Sequence, residues 1–95
     1  MPKLKIMVES TIRKYLTGEL TDCGFKENIQ AILDKFEGKR LLHQNIGQLA
    51  WKMKKENPNN ETKFKKIWIL LDQVNPRIRR DLDNRMKKGQ NRIST

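Results

Sequence analysis

The sequence predicts an all-α fold, a compact single domain of four to five short helices. Apolar residues recur at three- and four-residue steps along most of the chain, as they do on the buried face of an amphipathic helix. Alternation of apolar and polar residues never extends beyond three or four positions, so no strand is expected. Ninety-five residues suffice for one hydrophobic core, which we place in residues 1–88, followed by a flexible polar tail over residues 89–95.

Two apolar stripes predict the first two helices. The first stripe comprises Leu4, Val8, Ile12, Tyr15 and Leu16, and the second comprises Phe25, Ile29, Ile32, Leu33 and Phe36. Between them, Gly18 and the stretch Thr21-Asp22-Cys23-Gly24 predict the end of the first helix and a turn. Gly38 follows the second stripe at the position where a left-handed C-cap residue belongs.

The second half of the chain predicts two further helices and the start of a fifth. The third stripe comprises Leu42, Ile46, Leu49, Ala50 and Met53, and the fourth comprises Phe64, Ile67, Trp68 and Leu71. Asn57-Pro58-Asn59-Asn60 separates them with residues that favour turns and caps. Asn75-Pro76 has the pattern of an N-cap followed by proline at the first helical position. The fifth stripe is thin, with Ile78, Leu82 and Met86.

The charge of the chain is segregated. Residues 1–37 hold six basic and six acidic residues, so the whole formal charge of +10 lies C-terminal to residue 37. Residues 38–66 carry a net +6, residues 67–73 carry −1, and residues 74–95 carry +5. A positive surface attracts polyanions and accelerates their capture. This gradient therefore predicts an acidic partner.

The third helix contains the candidate contact residues Gln48, Trp51 and Lys52. At 100° per residue, Gln44, Gln48, Trp51 and Lys55 fall opposite the apolar stripe, with Lys52 beside them. Glutamine reads base edges, tryptophan stacks on bases, and lysine neutralises phosphate. Large aromatic residues are mostly buried, so the sequence leaves open whether Trp51 is a contact residue or packs against another helix.

Two clusters of cations complete the predicted binding surface. Lys54, Lys55, Lys63, Lys65 and Lys66 flank the Asn57–Asn60 turn, where lysines at a helix N-terminus oppose the helix dipole unless an anion binds there. In residues 74–95, Arg77 is one of four charged residues that have an oppositely charged residue four positions later in the sequence. Arg80, Lys88 and Arg92 have no such sequence partner. We assign Arg77, Arg80, Lys88 and Arg92 to phosphate contact, because arginine recognises anions with two parallel hydrogen bonds. A solvated, self-stabilised basic face is the alternative for both clusters.

The stretch Ile46-Gly-Gln-Leu-Ala-Trp-Lys-Met resembles the first helix of a helix-turn-helix. It departs from that pattern at Lys54, where the family usually has glycine, and the turn at residues 57–60 comes late. The resemblance implies that the helix starting near Glu61 reads a DNA groove, with Thr62, Lys63, Lys65 and Lys66 facing the nucleic acid. The apolar run of residues 67–71 instead indicates that this helix is central and buried.

The sequence contains no motif for catalysis, a cofactor or a metal. Cys23 is the only cysteine and His43 the only histidine, too few ligands for a zinc site. We therefore expect a protein that is not an enzyme and has no cofactor. A single cysteine favours a reducing compartment. Because the longest apolar run is the five residues 67–71, we expect neither a signal peptide nor a membrane span, and hence a cytoplasmic location, or nuclear in a eukaryotic setting.

These observations predict a small basic nucleic-acid-binding protein, a regulatory or accessory factor of the phage, plasmid or mobile-element type. The sequence is equally compatible with DNA and with RNA as the bound nucleic acid. The alternative is a small protein-binding inhibitor or adaptor of the viral-antagonist type, which docks the same basic, Trp51-containing face on an acidic surface of a larger host protein. A chain this short buries only roughly 60–65% of its unfolded surface, so a homodimer is also compatible with the sequence.

Overall fold

The computed structural model describes residues 3–80 and arranges them as helices around one hydrophobic core. The helices are α1 (Lys3–Leu16), α2 (Asp22–Lys35), α3 (Leu42–Glu56) and α4 (Glu61–Val74). A single turn of 3-10 helix, Pro58–Asn60, precedes α4, and residues 77–80 are again helical. The predicted all-α class is confirmed. The remainder of the predicted fifth helix and the predicted tail 89–95 lie outside the described residues.

The core consists largely of the predicted stripes. Each stripe contains at least one residue with a relative exposure of 0%, for example Val8, Phe25, Ile46, Phe64 and Ile78. The fourth stripe differs in detail, because Leu70 is 2% exposed and Trp68 is only partly buried. The buried arc of α4 is therefore rotated toward Leu70, and Trp68 lies at its edge.

The chain between α1 and α2 turns earlier than predicted. Residues 17–20 form the connection, and Thr21 is the N-cap of α2, with its hydroxyl oxygen accepting a 3.1 Å hydrogen bond from the Gly24 N–H. This cap satisfies one of the unpaired N–H groups at the helix start. The prediction of a turn over residues 21–24 was therefore wrong by a few residues, since Asp22, Cys23 and Gly24 already belong to α2.

The helices pack around α1 and α2. α1 contacts both α2 and α3, and α2 also contacts α4. Gly38, between α2 and α3, has the predicted left-handed conformation, with a φ of +87°, but it lies two residues after Phe36, the C-cap of α2. After α4, the Asn75 side-chain oxygen accepts a 3.0 Å hydrogen bond from the Arg77 N–H, which confirms the predicted cap at Asn75-Pro76. These contacts leave the outer side of α3 at the surface.

Candidate functional site

The outer side of α3 carries the glutamines, tryptophan and lysines that the sequence placed there. Ile46, Ala50 and Met53 are buried, so the opposite side of the helix faces outward. On that side Lys52 and Lys55 are exposed, and Gln48 and Trp51 are partly exposed. Residues of this side line two depressions.

The first depression is a groove between α1 and α3, with a volume of about 350 Å³. We call it the α1–α3 groove; its lining residues are Leu4, Lys5, Lys39, Asn45, Gln48, Leu49 and Lys52. Lys5 comes from α1, Lys39 from the connection after α2, and Lys52 from α3. Two leucines, two amide residues and three lysines from three separate segments therefore line one groove.

The α1–α3 groove is electrostatically one-sided. None of its described lining residues is acidic. Within residues 3–80, the ion pairs join Lys66 to Asp22 and Arg79 to Asp72, so no carboxylate of that range pairs with Lys5, Lys39 or Lys52. Like charges that line one groove repel one another, and a bound anion relieves that repulsion. Lys39 also lines a neighbouring depression with Asp34 and Glu37, so Lys5 and Lys52 are the two of these lysines with no acidic residue in any described depression that they line.

Sequence reasoning found only part of this groove. It identified Gln48 and Lys52 but missed Lys5, Lys39 and Asn45. Lys5 belongs to the electrically neutral segment 1–37, whose segment charge conceals it. Only the packing of α1 against α3 brings Lys5 to the groove, and no local pattern in the sequence encodes that contact.

The second depression, which we call the Trp51 pocket, lies at the C-terminal end of α3 and has a volume of about 220 Å³. It is lined by Trp51, Lys54, Lys55, Pro58 and Glu61. The ammonium nitrogens of Lys54 and Lys55 lie 5.3 and 5.2 Å from the centroid of the Trp51 ring, within the range of cation–π attraction. Trp51 is therefore partly packed and partly accessible, between the two alternatives left open by the sequence.

The lysines at the start of α4 differ from one another in their contacts. The Lys63 ammonium donates to the Leu16 carbonyl at the end of α1, and Lys66 lies 3.4 Å from the Asp22 carboxylate. A cation at a helix C-terminus is favourable, so Lys63 has a structural contact that compensates for its position at the start of α4. Lys65 is exposed, as is Thr62. α4 itself packs against α2 through the buried Phe64, Ile67, Leu70 and Leu71.

The arginine segment is described only as far as Arg80. Arg77 and Arg80 are exposed, and Arg79 lies 3.3 Å from Asp72. Arg77 lines a third depression that also includes Asp34 and Glu37, so the charges there are mixed. The predicted contact residues Lys88 and Arg92 lie outside the described residues.

The single cysteine and the single histidine are not part of either depression on α3 described above. Cys23 is exposed in the first turn of α2, and the His43 Nε2 atom lies 3.1 Å from the Asn75 side-chain nitrogen. Among residues 3–80, no group of three His, Cys, Asp or Glu side chains is positioned to hold a metal ion. In the same range, no helix is long and apolar enough to span a membrane.

Comparisons with protein-family models, with curated proteins and with solved structures return no match to this chain. The two depressions place a cationic groove and an accessible aromatic ring along one helix. Both depressions include residues from the outer side of α3, which the core leaves at the surface.

Proposed function

We propose that this protein binds nucleic acid through the outer side of α3, with the phosphate backbone in the α1–α3 groove. The observation that carries the proposal is that Lys5, Lys39 and Lys52 line one groove with no acidic residue in its described lining. Each phosphate that a lysine neutralises releases condensed counterions, which drives association. In this proposal the protein is a small regulatory or accessory factor that occupies a nucleic acid without chemically altering it.

The polar neighbours of these lysines suit the same ligand. The amide groups of Asn45 and Gln48 line the groove and can donate to phosphate oxygens or reach base edges. Trp51 lies one turn from Gln48 along α3, with Lys54 and Lys55 against its ring. An aromatic ring within a cationic surface is typical of proteins that bind bases and phosphates together.

A second candidate function uses the same surface for a protein. Tryptophan and arginine dominate interface hot spots, and the partly exposed Trp51 provides an anchor beside a cationic groove. In this alternative the protein is an inhibitor or adaptor that docks on an acidic partner. Retention of one acidic protein from extract, unchanged by nuclease treatment and absent for Trp51→Ala, would favour it.

The test is binding of a labelled oligonucleotide across a salt series. A protein that makes about five phosphate contacts gives a log–log slope of about −4 to −5 on duplex DNA. Lys52→Gln is expected to weaken binding, whereas Lys14→Gln, which removes a lysine from the α1–α2 side of the bundle, is not. A flat salt response, or equal losses for the two variants, would exclude the proposal.

A further inference from the structure

We infer that the preferred ligand is single-stranded and that one unstacked base enters the Trp51 pocket, where Glu61 favours bases that carry an amino group. This inference rests on the proposed function and adds the class of nucleic acid and a base preference. It is carried by the lining of the Trp51 pocket, in which an aromatic ring, a proline, two lysines and one carboxylate surround a single small space.

The size of the pocket suits one planar group. Its volume is about 220 Å³, whereas sites for drug-sized ligands measure roughly 300–1,000 Å³. Trp51 and Pro58 supply apolar surface, and Lys54 and Lys55 already lie against the ring as cations. Long lysine side chains move readily, so a base can take their place on the ring while their ammonium groups turn to the flanking phosphates.

Stacking on Trp51 requires an uncovered base face, which a single strand offers and a duplex does not. In a duplex the base faces are covered by stacking, and a protein reaches only base edges in the grooves. A tryptophan ring gains its stacking energy only from a base whose face is uncovered. Trp51 lies on the same side of α3 as the groove residues Gln48 and Lys52. It is three residues after Gln48 and adjacent to Lys52, a rise of roughly 5 Å or less along the helix. A strand in the groove therefore brings its bases within reach of the pocket.

Glu61 gives the pocket a chemical preference. A carboxylate repels phosphate, so its place in the lining favours a group that donates hydrogen bonds. It can accept from the amino group of cytosine or adenine and from the adjacent N1–H and amino groups of guanine. Thymine and uracil present their single N3–H between two carbonyl oxygens, which a carboxylate repels. The expected order is therefore guanine first, cytosine and adenine next, and thymine or uracil last.

Glu61 also has a structural alternative, because an acidic residue in the first turn of α4 interacts favourably with the helix dipole. The two roles predict different results for Glu61→Gln. A dipole role alone would change thermal stability and leave base preference unchanged. Glu56→Gln is the matched control, since it removes a nearby carboxylate from α3 that does not line the pocket.

The experiment uses the full chain with Trp68→Phe, which leaves Trp51 as the single tryptophan because the sequence contains two. Trp51 fluorescence is titrated with twelve-residue oligo(dT), oligo(dC) and alternating d(TG), and with a duplex of equal length. We expect quenching by the single strands only, with oligo(dC) and d(TG) bound more tightly than oligo(dT). Loss of stacking in Trp51→Ala should weaken single-strand binding about 5- to 150-fold.

The outcomes separate the two proposals. Glu61→Gln should abolish the preference over oligo(dT), while Glu56→Gln keeps it; circular dichroism checks that each variant is folded. Salt-dependent binding with duplex and single strand equal and Trp51 unquenched would overturn this inference and leave nucleic-acid binding intact. Binding to no oligonucleotide at any salt concentration would overturn both.

Discussion

The Tyr15 hydroxyl donates a 2.7 Å hydrogen bond to the Asp22 carboxylate and thereby ties the last turn of α1 to the first residue of α2. The second oxygen of that carboxylate lies 3.4 Å from the Lys66 ammonium of α4. Three helices therefore meet at Asp22. Burial of the phenol, together with its hydrogen bond to Asp22 and the charge of Asp22, raises the pKa of Tyr15 to about 12. The hydrogen bond from Tyr15 and the charge of Lys66 lower the pKa of Asp22.

Tyr15 provides the first prediction because it is the only tyrosine in the chain. Its phenolate absorbance should titrate with a pKa of about 12, compared with about 10 for an unperturbed tyrosine. Asp22→Asn removes the negative charge that opposes ionisation of the phenol, so the pKa of Tyr15 should be lower in this variant than in the wild type. A titration at the ordinary value in the folded wild type would show that the contact does not form in solution.

The same shift predicts how stability depends on alkaline pH. The folded state holds the Tyr15 proton more tightly than the unfolded state, so the stabilisation is complete below pH 10 and is lost as the pH rises toward 12. Denaturant unfolding of the wild type and Tyr15→Phe should therefore converge over that window. Parallel curves for the two proteins would contradict this account.

The two isoleucines Ile67 and Ile69 test the packing of α4 with the same substitution. Ile67 is 0% exposed and Ile69 is 50% exposed. Removing one methylene from a packed core position costs about 0.5–1.5 kcal/mol, whereas a surface change stays within about 0.5 kcal/mol. Urea denaturation should show the larger loss for Ile67→Val. Equal losses, or a larger loss for Ile69→Val, would mean that the buried face of α4 is assigned incorrectly.

Leu41 offers a stabilising substitution. Its φ is +59°, in the left-handed region, and its side chain is 52% exposed. That region costs an ordinary L-residue about 1–2 kcal/mol, and asparagine tolerates it better. Leu41→Asn should raise the free energy of unfolding by about 0.5–1 kcal/mol. Leu41→Ala is the control, because it removes the same apolar side chain but keeps the Cβ conflict, and it should give no such gain.

The helices could be predicted because their signals are local. Apolar spacing located the buried faces of α1 to α4, Gly38 marked a left-handed residue, and Asn75-Pro76 marked a cap. The shifted turn at residues 17–20 was missed because Thr21 is both a turn former and an N-cap, and only the hydrogen bond to Gly24 distinguishes these roles. Leu41 has no local signal, since leucine rarely adopts a positive φ.

The candidate site was predicted only in part because it depends on which helices are neighbours. The spacing along α3 correctly placed Gln48, Trp51, Lys52 and Lys55 on its outward side. The contribution of Lys5 requires α1 to pack on α3, and the contacts of Lys63 and Lys66 require α4 to begin beside the α1–α2 turn. A charge count along the sequence indicates neither of these helix contacts.

The most direct test of the account compares two triple variants with equal charge. One replaces Lys5, Lys39 and Lys52 of the α1–α3 groove with glutamine, and the other replaces the exposed Arg13, Lys14 and Lys35. Each lowers the formal net charge by three from +10. The log–log slope of oligonucleotide affinity against salt is measured for both. The account predicts that the groove variant flattens the slope by roughly 2 on single strands and 3 on duplex, while the control remains near wild type; equal slopes for the two variants would contradict it.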